Sequence, residues 1–240
     1  MSISAITLDL DDTLWPIWPV IDRAEQALHE WLQGHAPRTA QRYPVMALRD
    51  LHRSVIEQHP ELTHDVIQQR RLSLSRALRE SAEDEALVDA ALEVFSTHRN
   101  IVNVFPDTIE ALAWLAQRFP IAALTNGSAD LNRIGIGEHF VFQLGAREHG
   151  AAKPEPSIFH AACARLGVSA ENVLHVGDDP HMDVVGAHRV GMRTAWINRN
   201  AAAWTHAQVQ PDYNVRDLAE LAYRLGRSRN LEQDYSHASV

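Results

Sequence analysis

Lysine and cysteine are almost missing from this chain. Of its 22 basic side chains 21 are arginine, leaving Lys153 as the lone lysine. A single cysteine, Cys163, excludes an intramolecular disulfide and a thiolate metal cluster, and fits a reducing compartment. No apolar run approaches the ~20 residues of a membrane span, and no basic n-region precedes the first apolar run. We therefore expect a cytoplasmic protein with no membrane partner. Positive charge is short overall: 22 Lys+Arg stand against 31 Asp+Glu, a formal net charge of -9, which argues against nonspecific nucleic-acid binding. An anionic substrate would need locally concentrated positive charge. The 14 histidines show no metal-ligand spacing, and the chain carries no internal repeat or low-complexity tract. What is there is ordinary: 240 residues with 45% hydrophobic content, enough for one large domain or a domain with an insertion.

The apolar run Ala5-Ile6-Thr7-Leu8 reads as a buried strand that ends abruptly in Asp9-Leu10-Asp11-Asp12-Thr13. Residues at i and i+2 share one side of an extended strand. Asp9 and Asp11 would then face one ligand if extended geometry persists past Leu8, with Asp12 pointing away. Clustered carboxylates repel, and burying them is costly unless a cation or fixed donors hold them. Oxygen ligands of this kind suit Mg²⁺, which is often held by one or two carboxylates with substrate phosphate and water. A solvated acidic turn is the plain alternative. Lys153 invites a similar choice: a compact ammonium kept beside an anion, or an incidental lysine.

Taken in order, Leu14-Trp15-Pro16-Ile17-Trp18-Pro19 reads as a short rigid turn beside the carboxylates. Val20 to about Asn100 is helical in pattern, with breaks near Gly34-His35-Ala36-Pro37, Pro44 and His59-Pro60, which makes an all-α insertion. Ser81-Ala82-Glu83-Asp84 fits an N-terminal capping signal for its last helix. From Phe105 helix and strand alternate, with Asp107 and Glu110 expected to cap a helix. Strands are expected near Ile3–Asp9, Ile121–Thr125, Phe140–Leu144, Val173–Gly177 and Arg193–Ile197. Helices are expected near Pro156–Leu166, Pro180–Val190 and Asp217–Leu225. The pattern predicts an α/β fold, a mostly parallel, doubly wound, Rossmann-like sheet with an inserted all-α cap domain. The core comprises residues 1–14 and 103–240, the cap residues 15–102. From Ser228 the chain is polar and is expected to fray.

Polar residues collect in loops near strand ends: Thr125-Asn126-Gly127 terminates one strand, Lys153-Pro154 precedes a helix, and Gly177-Asp178-Asp179 terminates another strand, with Asp183 following. In an open α/β sheet ligands bind outside the carboxyl ends of strands, so these loops can converge on Asp9 and Asp11. A hydroxyl and backbone N–H groups at Thr125-Asn126 can hold phosphoryl oxygens, Lys153 can neutralise charge, and Asp178 can complete a Mg²⁺ shell. Each alone has a dull reading, as a turn, a helix cap or a surface acid.

With these residues in order, the chain resembles the haloacid dehalogenase superfamily of phosphohydrolases across essentially the whole α/β part. The resemblance implies that Asp9 is the nucleophile and a metal ligand, Asp11 the acid/base and a backbone-carbonyl metal ligand, and Asp178 the remaining protein ligand. It implies phosphate binding by Leu10, Asp11, Thr125, Asn126 and Lys153, with Asp179 and Asp183 holding their neighbours in place. Lys153 joins Asp9 and Asp11 as catalytic. The words Leu174-His175-Val176-Gly177-Asp178-Asp179 and His149-Gly150 are similar to those of the YigB-type bacterial phosphatases of riboflavin synthesis. Their substrates are phosphorylated ribitylaminouracil and flavin mononucleotide. On that resemblance Trp15, Trp18 and His149 are expected to touch substrate; the two indoles, beside the catalytic strand, either stack on a flat ring or serve as hinge or core packing between cap and sheet. A small-molecule phosphate ester is thus the expected partner. Sugar-phosphate hydrolysis, mutase activity, a non-catalytic phosphate binder and a receiver-type signalling domain are the alternatives.

Overall fold

The computed structural model describes residues 2–226. The polar stretch from Ser228 lies outside the described residues. Six parallel strands, β1 (Ala5–Leu8), β2 (Ile121–Thr125), β3 (Phe142–Gly145), β4 (Val173–Gly177), β5 (Arg193–Ile197) and β6 (Tyr213–Val215), form one sheet in the order β3-β2-β1-β4-β5-β6. Every residue of β1, β2 and β4 is buried, as near-continuous apolar runs in a parallel sheet require. β1 is central, with Ile6 in register with Ile121 on one side and Leu174 on the other. The chain builds outward from β1 to β3 and then reverses through β4, so a crevice opens at the carboxyl ends of β1 and β4.

Alternate side chains go to opposite faces. Ile6, Leu8, Leu174 and Val176 pack with Leu112 and Leu115 of α6 (Thr108–Ala116) and with Leu218 and Leu221 of the helix spanning 218–226. Ala5, Leu124 and Val173 instead pack with Ile158, Phe159 and Ala162 of α9 (Pro156–Leu166). The sheet is therefore covered on both faces.

Between β1 and α6 the chain forms α1 (Ile17–His35), α2 (Pro37–Arg42), α3 (Val45–Gln58), α4 (Val66–Glu80) and α5 (Val88–Arg99). These helices bury a core of their own, including Leu28, Leu51, Leu74, Leu78 and Phe95. This is the inserted helical cap. Among the described residues no helix is long and apolar enough to cross a membrane.

Several local expectations are corrected. The Trp-Pro stretch is no free turn: α1 starts at Ile17 and carries Pro19 in its first turn, where a missing N–H costs nothing. Ser81 closes α4 rather than opening the next helix, and Asp84 caps a short turn by accepting from the Ala86 N–H at 2.9 Å. Asp107 precedes α6, yet its carboxylate accepts from the Leu218 N–H at 3.0 Å and so caps the last described helix. β3 starts at Phe142 rather than Phe140, because a helical turn at Gly137–His139 holds Phe140. The expected helix Pro180–Val190 is a π-helical stretch, Pro180–Val185, followed by α10 (Gly186–Arg189); such widened turns often mark functional sites.

Candidate active site

Asp9 follows β1 directly, its N–H donating to the Val176 carbonyl at 2.9 Å and so prolonging the ladder by one residue. Lys153 arrives from the other side of the crevice. The Asn126 carboxamide grips its backbone, accepting from the Lys153 N–H at 2.8 Å and donating to its carbonyl at 2.9 Å. Held there, the buried ammonium donates to Asp9 Oδ1 at 2.5 Å and to Asp183 Oδ1 at 2.7 Å. Asp183 has little freedom left. Its Oδ1 also meets His175 Nε2 at 3.0 Å and its Oδ2 accepts from the Asp179 N–H at 3.0 Å. A carboxylate only accepts, so His175 carries its proton on Nε2, and Nδ1 takes the Thr7 hydroxyl at 2.9 Å. A β carbon at Gly177 would collide with the Asp183 carboxylate, which explains the glycine at the end of β4.

The electrostatics follow from this packing. Burial pushes the Asp9 carboxyl up, and Lys153 pulls it back only in part. Asp183 is held well below the usual carboxylate range, since Lys153 and His175 outweigh its burial. Burial pulls Lys153 down, but Asp183 and Asp9 raise it above an ordinary lysine. Asp178 lacks such a partner: burial, with Asp183, Asp9 and Asp12 nearby, pushes its carboxyl up to about 8. Its backbone is fixed by the Trp196 indole N–H, which donates to the Asp178 carbonyl at 2.7 Å, and Thr13 Oγ1 donates to its side chain at 3.1 Å.

Oxygens of Asp9, Asp178 and Asp183 lie within 4.8 Å of one another. Three carboxylates meet one ammonium, so with all acids ionised the cluster is two positive charges short, which suits a divalent cation with oxygen ligands. Asp183 already spends its oxygens on Lys153, His175 and the Asp179 N–H, which leaves Asp9 and Asp178 as the side chains free to take a cation.

The ladder stops at Asp9, and beyond it Asp11 makes only an isolated bridge with Trp15. The chain turns at Asp12, which has a φ of 57°, and Asp11 faces the helical insertion. Arg99, at the end of α5, donates through Nη2 to both Asp11 oxygens at 2.6 Å, and the Trp15 indole N–H donates to Oδ1 at 2.9 Å. Asp11 Oδ2 lies against Gly127, where a β carbon would displace it. A cavity of about 480 Å³ opens here between insertion and sheet, reaching Asp11, Arg99, Gly127 and Ser128 at the sheet side.

The structure thus brings Asp9, Asp178, Asp183 and Lys153 together, with Asp11 beside them and Thr125 and Asn126 in the adjoining loop. Leu10 is fully buried, so only its backbone is available to a ligand. Asp179 turns its side chain away to accept from the His181 and Met182 N–H groups at 2.7 Å, and contributes its own N–H inward. The residues expected to touch a substrate ring are placed otherwise. Trp15 is wholly buried with no free face. Trp18 is 64% exposed, and neither it nor His149, which meets Ser157 at 3.0 Å, lines the cavity. Sequence reasoning missed Arg99, Gly127, Thr7 and the inward role of His175. Thr7, Gly127 and His175 lay in stretches already singled out; an arginine among 21 carries no signal.

Comparison with known proteins agrees with this geometry. Residues 3–191 match the model of haloacid dehalogenase-like hydrolases, and the chain belongs to that family. It is similar to 5-amino-6-(5-phospho-D-ribitylamino)uracil phosphatase YigB of Escherichia coli, 36% identical over 228 residues, 91% of this chain and 94% of the relative. It is also similar to glyceraldehyde 3-phosphate phosphatase of Methanopyrus kandleri, 29% identical over 82% of this chain and 84% of that protein. Among solved structures, a 2-haloacid dehalogenase from Pseudomonas syringae superposes with a TM-score of 0.87 and 37% identity, covering 94% of this chain and 99% of the other.

Proposed function

We propose that this hydrolase is a Mg²⁺-dependent phosphomonoesterase working through an aspartyl phosphate on Asp9, with residues 15–102 as its cap. The carrying observation is the buried contact of Lys153 Nζ with Asp9 and Asp183 beside an uncompensated Asp178. Asp9 Oδ2, met by the Thr13 hydroxyl at 3.4 Å, is the attacking oxygen, since Oδ1 is taken by Lys153. It attacks phosphorus as the bond to the leaving oxygen breaks, and Asp11 gives that oxygen a proton. Asp11 Oδ2 serves, because Trp15 holds Oδ1 while, among the described residues, Oδ2 meets only Arg99, which turns aside when this oxygen carries the proton. In the second step Asp11 takes a proton from water, whose oxygen attacks phosphorus and frees Asp9. When bound at Asp9, Asp178 and the Asp11 backbone carbonyl, Mg²⁺ supplies the missing positive charge. Lys153 holds the charge on the equatorial oxygens, and positioning with electrostatics carries most of the rate. Thr125 and the Leu10, Asp11 and Asn126 backbones cradle the phosphoryl oxygens.

The substrate we infer is a phosphate ester on a ribityl chain attached to a flat heterocycle: phosphorylated ribitylaminouracil or flavin mononucleotide. Similarity to the Escherichia coli enzyme over 91% of the chain supports this reading and a place in riboflavin synthesis. The lone buried thiol fits a cytoplasmic enzyme. A screen of phosphate esters with Mg²⁺ tests it: flavin and ribityl esters should show the highest kcat/KM. A strong preference for sugar phosphates, or transfer of the phosphoryl group to a sugar instead of water, would replace it.

A further inference from the structure

The cavity leads away from Asp11 along α5. Arg99 touches Asp11, and Phe95 lies one helical turn, ~6 Å, back along α5. The Arg70 guanidinium lies over the Phe95 ring at 3.7 Å from its centre, and His52 lines the cavity with it. None of these groups is used by the chemistry at Asp9.

His52 has a defined proton. The Ser73 hydroxyl faces two carbonyls that can only accept, Gln69 at 2.8 Å and Arg70 at 3.1 Å, and with its proton on one of them His52 Nδ1, at 2.9 Å, donates to Ser73 Oγ. Burial, with Arg70 beside it, drives the His52 ring down to about 3, so it is neutral in ordinary buffers. A neutral ring protonated on Nδ1 has a bare lone pair on Nε2, and Nε2 has no partner among the described residues. Arg70 is held by Glu25 at 3.6 Å on one edge and by Phe95 on one face, and it also lines the cavity. An acceptor and a cationic donor therefore line the same cavity as Asp11, together with the apolar side chains Ile21, Ile56 and Leu92.

Building on the substrate reading above, we propose that His52 and Arg70 recognise the imide edge of a pyrimidine-2,4-dione. His52 Nε2 accepts the ring N–H between the carbonyls, and Arg70 donates to a flanking carbonyl. Uracil and the flavin ring share this edge, so one subsite serves both esters. The volume, about 480 Å³, lies within the range of small-molecule sites.

The test compares flavin mononucleotide, its N3-methyl derivative and ribitol 5-phosphate, by kcat/KM with Mg²⁺, in the wild type, His52→Leu, His52→Gln and Arg70→Gln. Methylation should lower the wild-type value about tenfold, the worth of one hydrogen bond. In His52→Leu that ratio should fall to near one, whereas His52→Gln, which keeps an acceptor, should retain part of it. Each ratio is taken within one variant, so the concentration of folded enzyme cancels. Arg70→Gln gives a separate reading, a rise in KM for flavin mononucleotide that exceeds the rise for ribitol 5-phosphate. A wild type indifferent to methylation, or a full methylation penalty in His52→Leu, overturns the subsite while a preference for flavin mononucleotide keeps the substrate reading alive. A wild type that hydrolyses ribitol 5-phosphate as well as flavin mononucleotide overturns both.

Discussion

Replacing Lys153 by methionine keeps the length of the side chain and removes its charge. The ammonium lies 2.5 Å from Asp9 and 2.7 Å from Asp183, so at an effective dielectric of ~20 each attraction is roughly 6 kcal/mol before desolvation. Taking three ions out of water opposes most of that, and breaking a buried pair by removing one partner costs about 3–5 kcal/mol net. For a chain of this size that is a fall in Tm of roughly 6–20 °C. The fall depends on pH. In the wild type the raised Lys153 is charged throughout pH 5–8 and contributes no slope there. The depressed Asp183 contributes stability that is present above the ordinary aspartate value and is lost only in strong acid. Without Lys153, Asp9, already at about 7, and Asp183 both rise, so the protons that neutralise them at pH 5 are progressively lost toward pH 8. The Tm difference between wild type and Lys153→Met, measured on metal-free protein, should therefore be larger at pH 8 than at pH 5. With Mg²⁺ present, kcat should drop by at least ~100-fold, the scale of losing one preorganised charge-stabilising group. A Tm shift below ~2 °C at pH 8 together with wild-type kcat would refute the buried-ion argument.

Further predictions follow from the same geometry. Because the raised Asp178 must lose its proton to accept a cation, Mg²⁺ affinity by calorimetry should fall about tenfold per pH unit just below about 8 and more steeply below about 7, where Asp9 also takes a proton, and Asp178→Asn should remove the first part of that slope. The sign for metal-free stability is the reverse of a salt-bridged acid: the raised Asp178 costs stability increasingly from the ordinary aspartate range up to about 8, which melting against pH will read. Asp9→Asn should form no phosphoenzyme, whereas Asp11→Asn should accumulate one with an ester whose leaving group needs no proton. Radiolabel trapped in the Asp9 variant would move the nucleophile elsewhere. Gly177→Ala should lower kcat by at least tenfold, because Asp183 has to retreat and release Lys153; unchanged kcat with an unchanged Tm would contradict this.

The candidate site residues Asp9, Thr125 and Asp178 were legible because they lie at strand ends. Ala5 to Leu8, Ile121 to Thr125 and Val173 to Gly177 are buried apolar runs, and periodicity alone locates where each stops and polar residues begin. A parallel sheet then compels those ends to one edge, so the approach of Asp9 and Asp178 follows from chain order, whereas Lys153 lies beyond the end of β3 and is brought in by the loop whose backbone Asn126 grips. The helical insertion was equally readable, since its helices bury an apolar stripe that 3.6-residue spacing exposes. β6 was not readable: Tyr213–Val215 is too short for alternation to show. Nor was the fate of individual polar side chains. Asp107 looks like the cap of α6 and caps another helix, because Arg199 and Leu218 reach it from a part of the chain more than 90 residues away. Trp15 looks like a stacking platform beside the carboxylates, yet its ring completes the core and its N–H fixes Asp11. Arg99 is one of 21 arginines until α5 ends beside Asp11. Local sequence determines where strands end and which faces are apolar, because those depend on neighbours in the chain. Which partner a buried charge finds depends on elements distant in sequence, and that was decided only by the tertiary packing of cap on sheet.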